Sequence, residues 1–279
     1  MSLKIDRFCL IIGAMKSGTT TLFSYLNEHP EIARSYPKEP NFFASDENFA
    51  KGMTWYENLW DFNPEVHKLA LEGSTNYTKV PKFPNAAERI AAIEGASFKF
   101  IYIMRNPIKR IESHYAHVIS SKTTKDNYTY IPGSIELRPN MIDTSRYAMQ
   151  IEQYYQHFPK DSILLLDFED LKNNLQQLMN EVCNFLEINP EFNYSSVQPV
   201  NQSKGKTIDG PLWKYVAPAV HYLPQTPKKV VRKLCSQSLS VKERLTEGQK
   251  EFILRELRDD LLKLNQEFGF DTSKWGISF

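Results

Sequence analysis

Phe8-Cys9-Leu10-Ile11-Ile12-Gly13-Ala14-Met15-Lys16-Ser17-Gly18-Thr19-Thr20-Thr21-Leu22 decides how this chain of 279 residues is read. An apolar run stops at a short loop with two glycines, a lysine and a cluster of hydroxyls. A helical pattern follows at once, with Leu22, Phe23, Tyr25 and Leu26 on one face and His29-Pro30 as its stop. Strand, tight loop and helix start together build an anion site. The first amides of a helix have no acceptor inside it, and the helix dipole favours negative charge there. Gly13 and Gly18 let the backbone approach a phosphate, Lys16 adds a point charge, and Ser17, Thr19, Thr20 and Thr21 add hydroxyl donors. A plain glycine turn with a solvated lysine is the bland alternative, and the concentration of these residues at one strand–helix junction ranks it lower.

The glycines have the spacing of a nucleotide P-loop, G-x-x-x-x-G-K-S/T, but Thr19 stands where that pattern has its lysine, which has moved inside the loop to Lys16. A lysine in that place, followed by Ser-Gly-Thr-Thr, resembles the 5′-phosphosulfate loop of sulfotransferases that use 3′-phosphoadenosine 5′-phosphosulfate (PAPS). A second stretch, Arg105-Asn106-Pro107-Ile108-Lys109-Arg110-Ile111-Glu112-Ser113-His114-Tyr115, resembles the 3′-phosphate motif of the same family, R-D/N-P-x-x-R-x-x-S-x-Y. Physical chemistry agrees. Arg105 follows the apolar strand pattern Phe98–Met104, and open α/β sheets bind ligands beyond the carboxyl ends of their strands. An arginine fork grips two phosphate oxygens at once. Lys38-Glu39-Pro40-x-Phe42-Phe43, Gly52-x-x-Trp55-Tyr56, Tyr147 and the stretch from Phe158-Pro159 to Asp170-Leu171 are similar in content and order to the heparan sulfate branch and its bacterial relatives. The resemblance runs from about Phe8 to the C-terminal helix.

The resemblance implies transfer of a sulfuryl group from PAPS to a hydroxyl or amine, leaving 3′-phosphoadenosine 5′-phosphate (PAP), with no metal required. By position, it implies that Lys16 binds the 5′-phosphosulfate and stabilises the leaving oxygen, and that Ser17, Gly18, Thr19, Thr20 and Thr21 line that site. Arg105 and Ser113 would hold the 3′-phosphate. Glu39 would be the general base, the alternative being a surface carboxylate paired with Lys38. Asn201-Gln202-Ser203-Lys204-Gly205-Lys206 resembles the late loop that closes over the cofactor, so Lys204, Gly205 and Lys206 join the cofactor candidates, within a 201–209 loop. In part of the branch a lysine follows the glutamate at the end of the second strand; here the chain reads Glu72-Gly73-Ser74, and Lys38 or Lys79 is left to supply the charge. Lys38, Ser74, Tyr77 and Tyr147 are candidate acceptor-wall residues. His114 and His117 read as packed or surface histidines before catalytic ones.

The rest of the sequence sets bounds. Strand and helix patterns alternate: strands at 68–72, 98–104 and 162–167, helices at 84–93, 108–118, 145–158, 171–186 and 246–268. This predicts a three-layer, P-loop-like α/β fold with a central parallel sheet flanked by helices, as a single domain over 1–279. Glu31 to Phe43 reads as an extended stiff loop anchored by Phe42 and Phe43. Residues 120–144 read as a polar acceptor or lid loop. A net charge of +1 gives no global attraction to nucleic acid, so a polyanion would need a local cleft. The acceptor class stays open among carbohydrates, lipids, small molecules and carrier-bound metabolites. Cys9, Cys183 and Cys235 have no metal-ligand spacing and read as reduced thiols, which with the lack of a signal peptide or membrane span suggests the cytoplasm. Two rivals remain. A P-loop kinase or NTPase would use Asp167, at the end of Ile163–Asp167, as a Walker-B-like magnesium ligand. A non-catalytic nucleotide-binding module would keep the fold without turnover.

Overall fold

The opening apolar run, Arg7–Gly13, is the central strand (β1) of a five-stranded sheet and is buried along almost its whole length. The computed structural model describes residues 3–120, 135–194, 207–209, 216, 231, 234–238 and 244–277. Its other sheet strands are β2 (Ile32–Arg34), β3 (Leu69–Glu72), β4 (Ser97–Met104) and β5 (Ile163–Asp167), in the order β2-β3-β1-β4-β5 with every pairing parallel. Parallel strands are covered on both faces, which is why β1 and β4 read as unbroken apolar runs. Their side chains still alternate. Phe8, Leu10 and Ile12 enter one core cluster, and Cys9 and Ile11 enter the other.

Helices cover both faces. In chain order they are α1 (Thr19–Asn27), α2 (Asp46–Phe49), α3 (Gly52–Glu57), α4 (Ala86–Ala91), α5 (Pro107–Ser120), α6 (Pro139–Asp143), α7 (Tyr147–Tyr155), α8 (Phe168–Asn173), α9 (Leu175–Leu186) and α10 (Glu247–Gln266). Leu22 and Leu26 of α1 pack with Leu178, Val182 and Leu186 of α9 on one face. Ile151 of α7 and Leu257 and Leu261 of α10 pack on the other. Thr246 starts α10 with a capping box: its hydroxyl accepts from Gln249 N, and the Gln249 side chain accepts from Thr246 N.

The three-layer parallel architecture is the one expected, with local corrections. Ile32–Arg34, read as loop, is an edge strand, too short to carry a period. The single helix expected over 171–186 is two, broken at Asn174, whose backbone leaves the helix (φ −132°, ψ 41°) while its side chain bonds Asp170. Part of the expected 120–144 loop is helix α6, started by Pro139 at its first turn, and residues 121–134 lie outside the described residues. Thr207–Asp209 (β6) pairs antiparallel with Ser236–Ser238 (β7), so the expected 201–209 loop ends in a strand. Among the described residues, no helix is long and apolar enough to cross a membrane.

Gly13 ends β1 at a crowded point. A β-carbon there would lie 2.1 Å from Thr78 Oγ1 and 2.7 Å from a ring carbon of Tyr102. The Thr78 hydroxyl donates to Ile12 O at 2.6 Å and ties the connection after β3 to the central strand. Gly13→Ala is therefore expected to destabilise by ~1–3 kcal/mol through overpacking, read as a lowered Tm.

Candidate active site

The candidate residues stand beyond the carboxyl ends of the parallel strands. The loop after β1 is pinned at its start by Ala14 N donating to Ile103 O of β4 at 2.7 Å. Lys16 then takes a left-handed backbone, φ 71°, which costs a non-glycine residue about 1–2 kcal/mol. Such strain is tolerated where the surroundings fix the chain, and Ser17 N donating to Ala14 O at 3.1 Å closes the turn. Ser17 is wholly buried. Gly18 caps α1 with φ 90°, and the space a side chain there would need is filled by the Phe168 ring, 2.5 Å from the position of a β-carbon.

Arg105 leaves the end of β4 toward the same loop. Its guanidinium lies over the Phe168 ring at 4.7 Å, and its Nε is buried without a hydrogen bond. Tyr147 OH donates to Arg105 O at 2.6 Å and fixes the backbone from below. Asn106 Oδ1 accepts from Ile108 N and Lys109 N and so starts α5. Ser113 lies half-buried further along that helix. Phe168 thus serves both phosphate elements, and the sequence reading missed it. Nothing local marks it, because its partners are distant in the chain.

Arg110, one turn into α5, is completely buried and forms no ion pair with a carboxylate among the described residues. Its Nε donates to Ser145 Oγ at 2.7 Å, its Nη2 to Met141 O and its Nη1 to Met15 O at 3.4 Å. One guanidinium therefore joins the phosphate loop to the segment at α6, and places a fixed positive charge behind both.

Glu39 comes from the connection after β2. It is exposed, and its Oε1 accepts from Lys38 Nζ at 2.8 Å. Lys38 Nζ also donates to Gly73 O at 3.0 Å, and Gly73 N donates back to Lys38 O at 3.0 Å. A β-carbon at Gly73 would lie 3.3 Å from the Lys38 ammonium, so the lysine fills the space left by that glycine. Behind it, Glu72 is fully buried; burial, against the opposing hydroxyls of Tyr77 and Tyr56, pushes its carboxyl up to about 8.

Beside the phosphate loop opens a pocket of about 490 Å³, walled by Met15, the 76–83 connection, α5 and the 139–144 segment. Lys79 lines it and donates to Asn76 Oδ1 at 2.7 Å. Burial, opposed by the charge of Glu39, brings the Lys79 ammonium down to about 8. His114 lines it too, and its buried Nδ1 has no hydrogen-bond partner. Burial first, then Arg110 and Lys79, push the imidazole down to about 2, so it stays neutral. His117 borders the same space, half-buried.

Three acceptor-wall candidates are buried and bonded within the fold. Ser74 is buried and its Oγ accepts from Asn41 N; Tyr77 is buried with its hydroxyl accepting from Phe43 N; Tyr147 is buried under Arg105. Lys204, Gly205 and Lys206 lie outside the described residues. Asp167 is occupied otherwise than a magnesium ligand: Oδ1 accepts from Glu169 N, capping α8, and Oδ2 from Trp275 Nε1, both at 3.0 Å.

A parallel sheet, a glycine-bounded loop after its central strand and an arginine at the end of the neighbouring strand define an α/β protein of the P-loop-like type. Its family is the sulfotransferases, to which the chain belongs: the sulfotransferase domain model matches residues 6–207. It is 25% identical over 244 residues to the bifunctional heparan sulfate N-deacetylase/N-sulfotransferase 1 of Caenorhabditis elegans, covering 81% of this chain and 27% of that protein. It is 29% identical over 192 residues to heparan sulfate glucosamine 3-O-sulfotransferase 5 of Mus musculus, covering 66% of this chain and 54% of that one. The chain thus spans between about a quarter and about half of the length of these relatives. The crystal structure of a sulfotransferase from Alicyclobacillus acidocaldarius shares the fold, with a TM-score of 0.65 at 20% identity over 96% of this chain and 98% of that one. Family membership and the bonding of Asp167 set aside the kinase alternative.

Proposed function

We propose that this protein transfers a sulfuryl group from PAPS to a hydroxyl or amine of an acceptor, a carbohydrate by analogy with its heparan sulfate-modifying relatives. The observation that carries this is the convergence of Lys16 and Arg105 on the adjacent strand ends of β1 and β4, with Glu39 coming from the same edge of the sheet.

The residues fit a doubly phosphorylated adenosine nucleotide. The Arg105 Nε is buried and unsatisfied, the first turn of α1 offers its amides, and Arg110 adds an uncompensated positive charge behind the loop. Arg105 and Ser113 would hold the 3′-phosphate, and Lys16 with Ser17 to Thr21 the 5′-phosphosulfate. PAPS supplies the activated sulfuryl group. The chain's own part would be to hold the Lys16 ammonium against the 5′-phosphosulfate and stabilise the negative charge that develops on transfer. Glu39 takes the proton from the attacking acceptor. Lys38 holds that carboxylate through the 2.8 Å contact.

The test is a thermal-shift titration with PAP and with magnesium-ATP, in wild type and Arg105→Ala. A ligand at a hundred times its Kd adds ~2.7 kcal/mol, a rise of roughly 5–10 °C for a chain of this size. PAP is expected to give that rise in wild type and to lose most of it in Arg105→Ala. A response to magnesium-ATP alone would overturn the proposal. Turnover of PAPS to PAP with an acceptor separates the enzyme from a non-catalytic module.

A further inference from the structure

We propose that the pocket beside the phosphate loop seats a hydroxylated acceptor bearing an anionic group, with Lys79 as counter-ion to that group and His114 as partner to a hydroxyl. The inference rests on the sulfuryl-transfer reading, since the pocket shares Met15 with the phosphate loop and receives the field of Glu39.

Two groups there, half-buried Lys79 and buried His114, lack what a folded interior normally provides. Lys79 makes no ion pair among the described residues, and its one hydrogen bond is to the neutral Asn76. A half-buried ammonium held this way gains most from an anion brought to it. Its other charged neighbours are Lys82 and Arg110, which repel it, and Glu39; the Asp143 carboxylate on the same wall is paired with Arg146 at 3.8 Å. His114 lines the pocket with its ring, while its Nδ1 is buried inside the wall without a hydrogen-bond partner. The ring stays neutral, so it offers one donor and one acceptor; a hydroxyl, being both, suits either tautomer. The remaining walls include Val80, Pro81, Phe83 and Val118, which give apolar faces for the body of a ring. The volume, about 490 Å³, is that of a small-ligand pocket. Discrimination then works by exclusion, because an uncharged acceptor would leave Lys79 desolvated and unpaired.

Binding of p-nitrophenyl β-D-glucuronide and p-nitrophenyl β-D-glucoside, measured by calorimetry with and without saturating PAP, isolates the charge. The two probes differ in a carboxylate against a hydroxymethyl on the same ring. Wild type is expected to prefer the glucuronide by about 10- to 100-fold, the range of a charged hydrogen bond. Lys79→Met should bring the two probes level, Lys79→Arg should keep the preference, and His114→Phe should weaken both by about 2- to 10-fold. All three variants should keep the thermal shift with PAP, which certifies their fold. Equal affinities in wild type, a preference that survives Lys79→Met, or no binding of either glycoside while PAP still binds would each overturn the proposal and leave the donor reading standing. A Lys79-dependent preference without any response to PAP would uphold the pocket and remove the transfer reading.

Discussion

Glu39→Gln is expected to lower kcat by about 10²–10⁴, the range for loss of a positioned general base, with PAP binding unchanged. The substitution keeps the shape of the side chain, and the amide oxygen can still accept from Lys38 Nζ, whose other hold is on Gly73 O. The connection from Ser35 to Asn41 is further tied by Gly73 N donating to Lys38 O and by Asn41 N donating to Ser74 Oγ. The variant therefore loses proton affinity and little else. Glu39 is exposed and distant from Arg105 in the chain, so the thermal shift with PAP should match that of wild type. Steady-state kinetics beside that shift makes the check, and an unimpaired kcat would leave Glu39 as no more than the surface partner of Lys38.

Lys16→Ala carries the second large effect, a loss of ~10²–10³ in kcat, as for removal of one preorganised donor at a developing oxyanion. The backbone at position 16 is left-handed, and alanine meets the same restriction there as lysine, so the loop is not relieved by the change. The charge behind the loop also remains, because Arg110 still donates to Met15 O. PAP should accordingly bind the variant with a reduced but measurable thermal shift, while turnover falls much further. A parallel fall in affinity and none in kcat would make Lys16 a simple phosphate anchor.

Much of this site was readable from short contiguous patterns. The loop from Gly13 to Thr21 and the run from Arg105 to Tyr115 each join a strand end to a helix start within a few residues, so both stand out as local patterns, and their expected roles came from the resemblance to the sulfotransferase motifs. Phe42 and Phe43 were legible as anchors because an extended proline-flanked segment needs something to hold it, and both are fully buried. What could not be read depends on pairs far apart in sequence. Phe168 matters through Gly18 and Arg105, and Arg110 through Met15, Met141 and Ser145. Ser74 and Tyr77 follow a strand whose end can face cleft or core, and only the packing of Asn41 and Phe43 against them decides it. Asn174 broke a helix whose apolar period runs through it undisturbed, since the period records burial and not backbone continuity.

Among the described residues, Arg110 and Thr78 each stitch the donor side to the pocket side, one to Met15 O, the other to Ile12 O. The pocket wall itself is built from the loop after β1, the 76–83 connection, α5 and the 139–144 segment, which contribute no strand to the sheet. A lineage could therefore exchange Lys79, Lys82, Asn140 or Asp143 and acquire a new acceptor while inheriting its donor chemistry intact. The same division would let inactive intermediates of such a history persist, because a protein that had lost one acceptor and not yet gained another would still fold around the same two stitches.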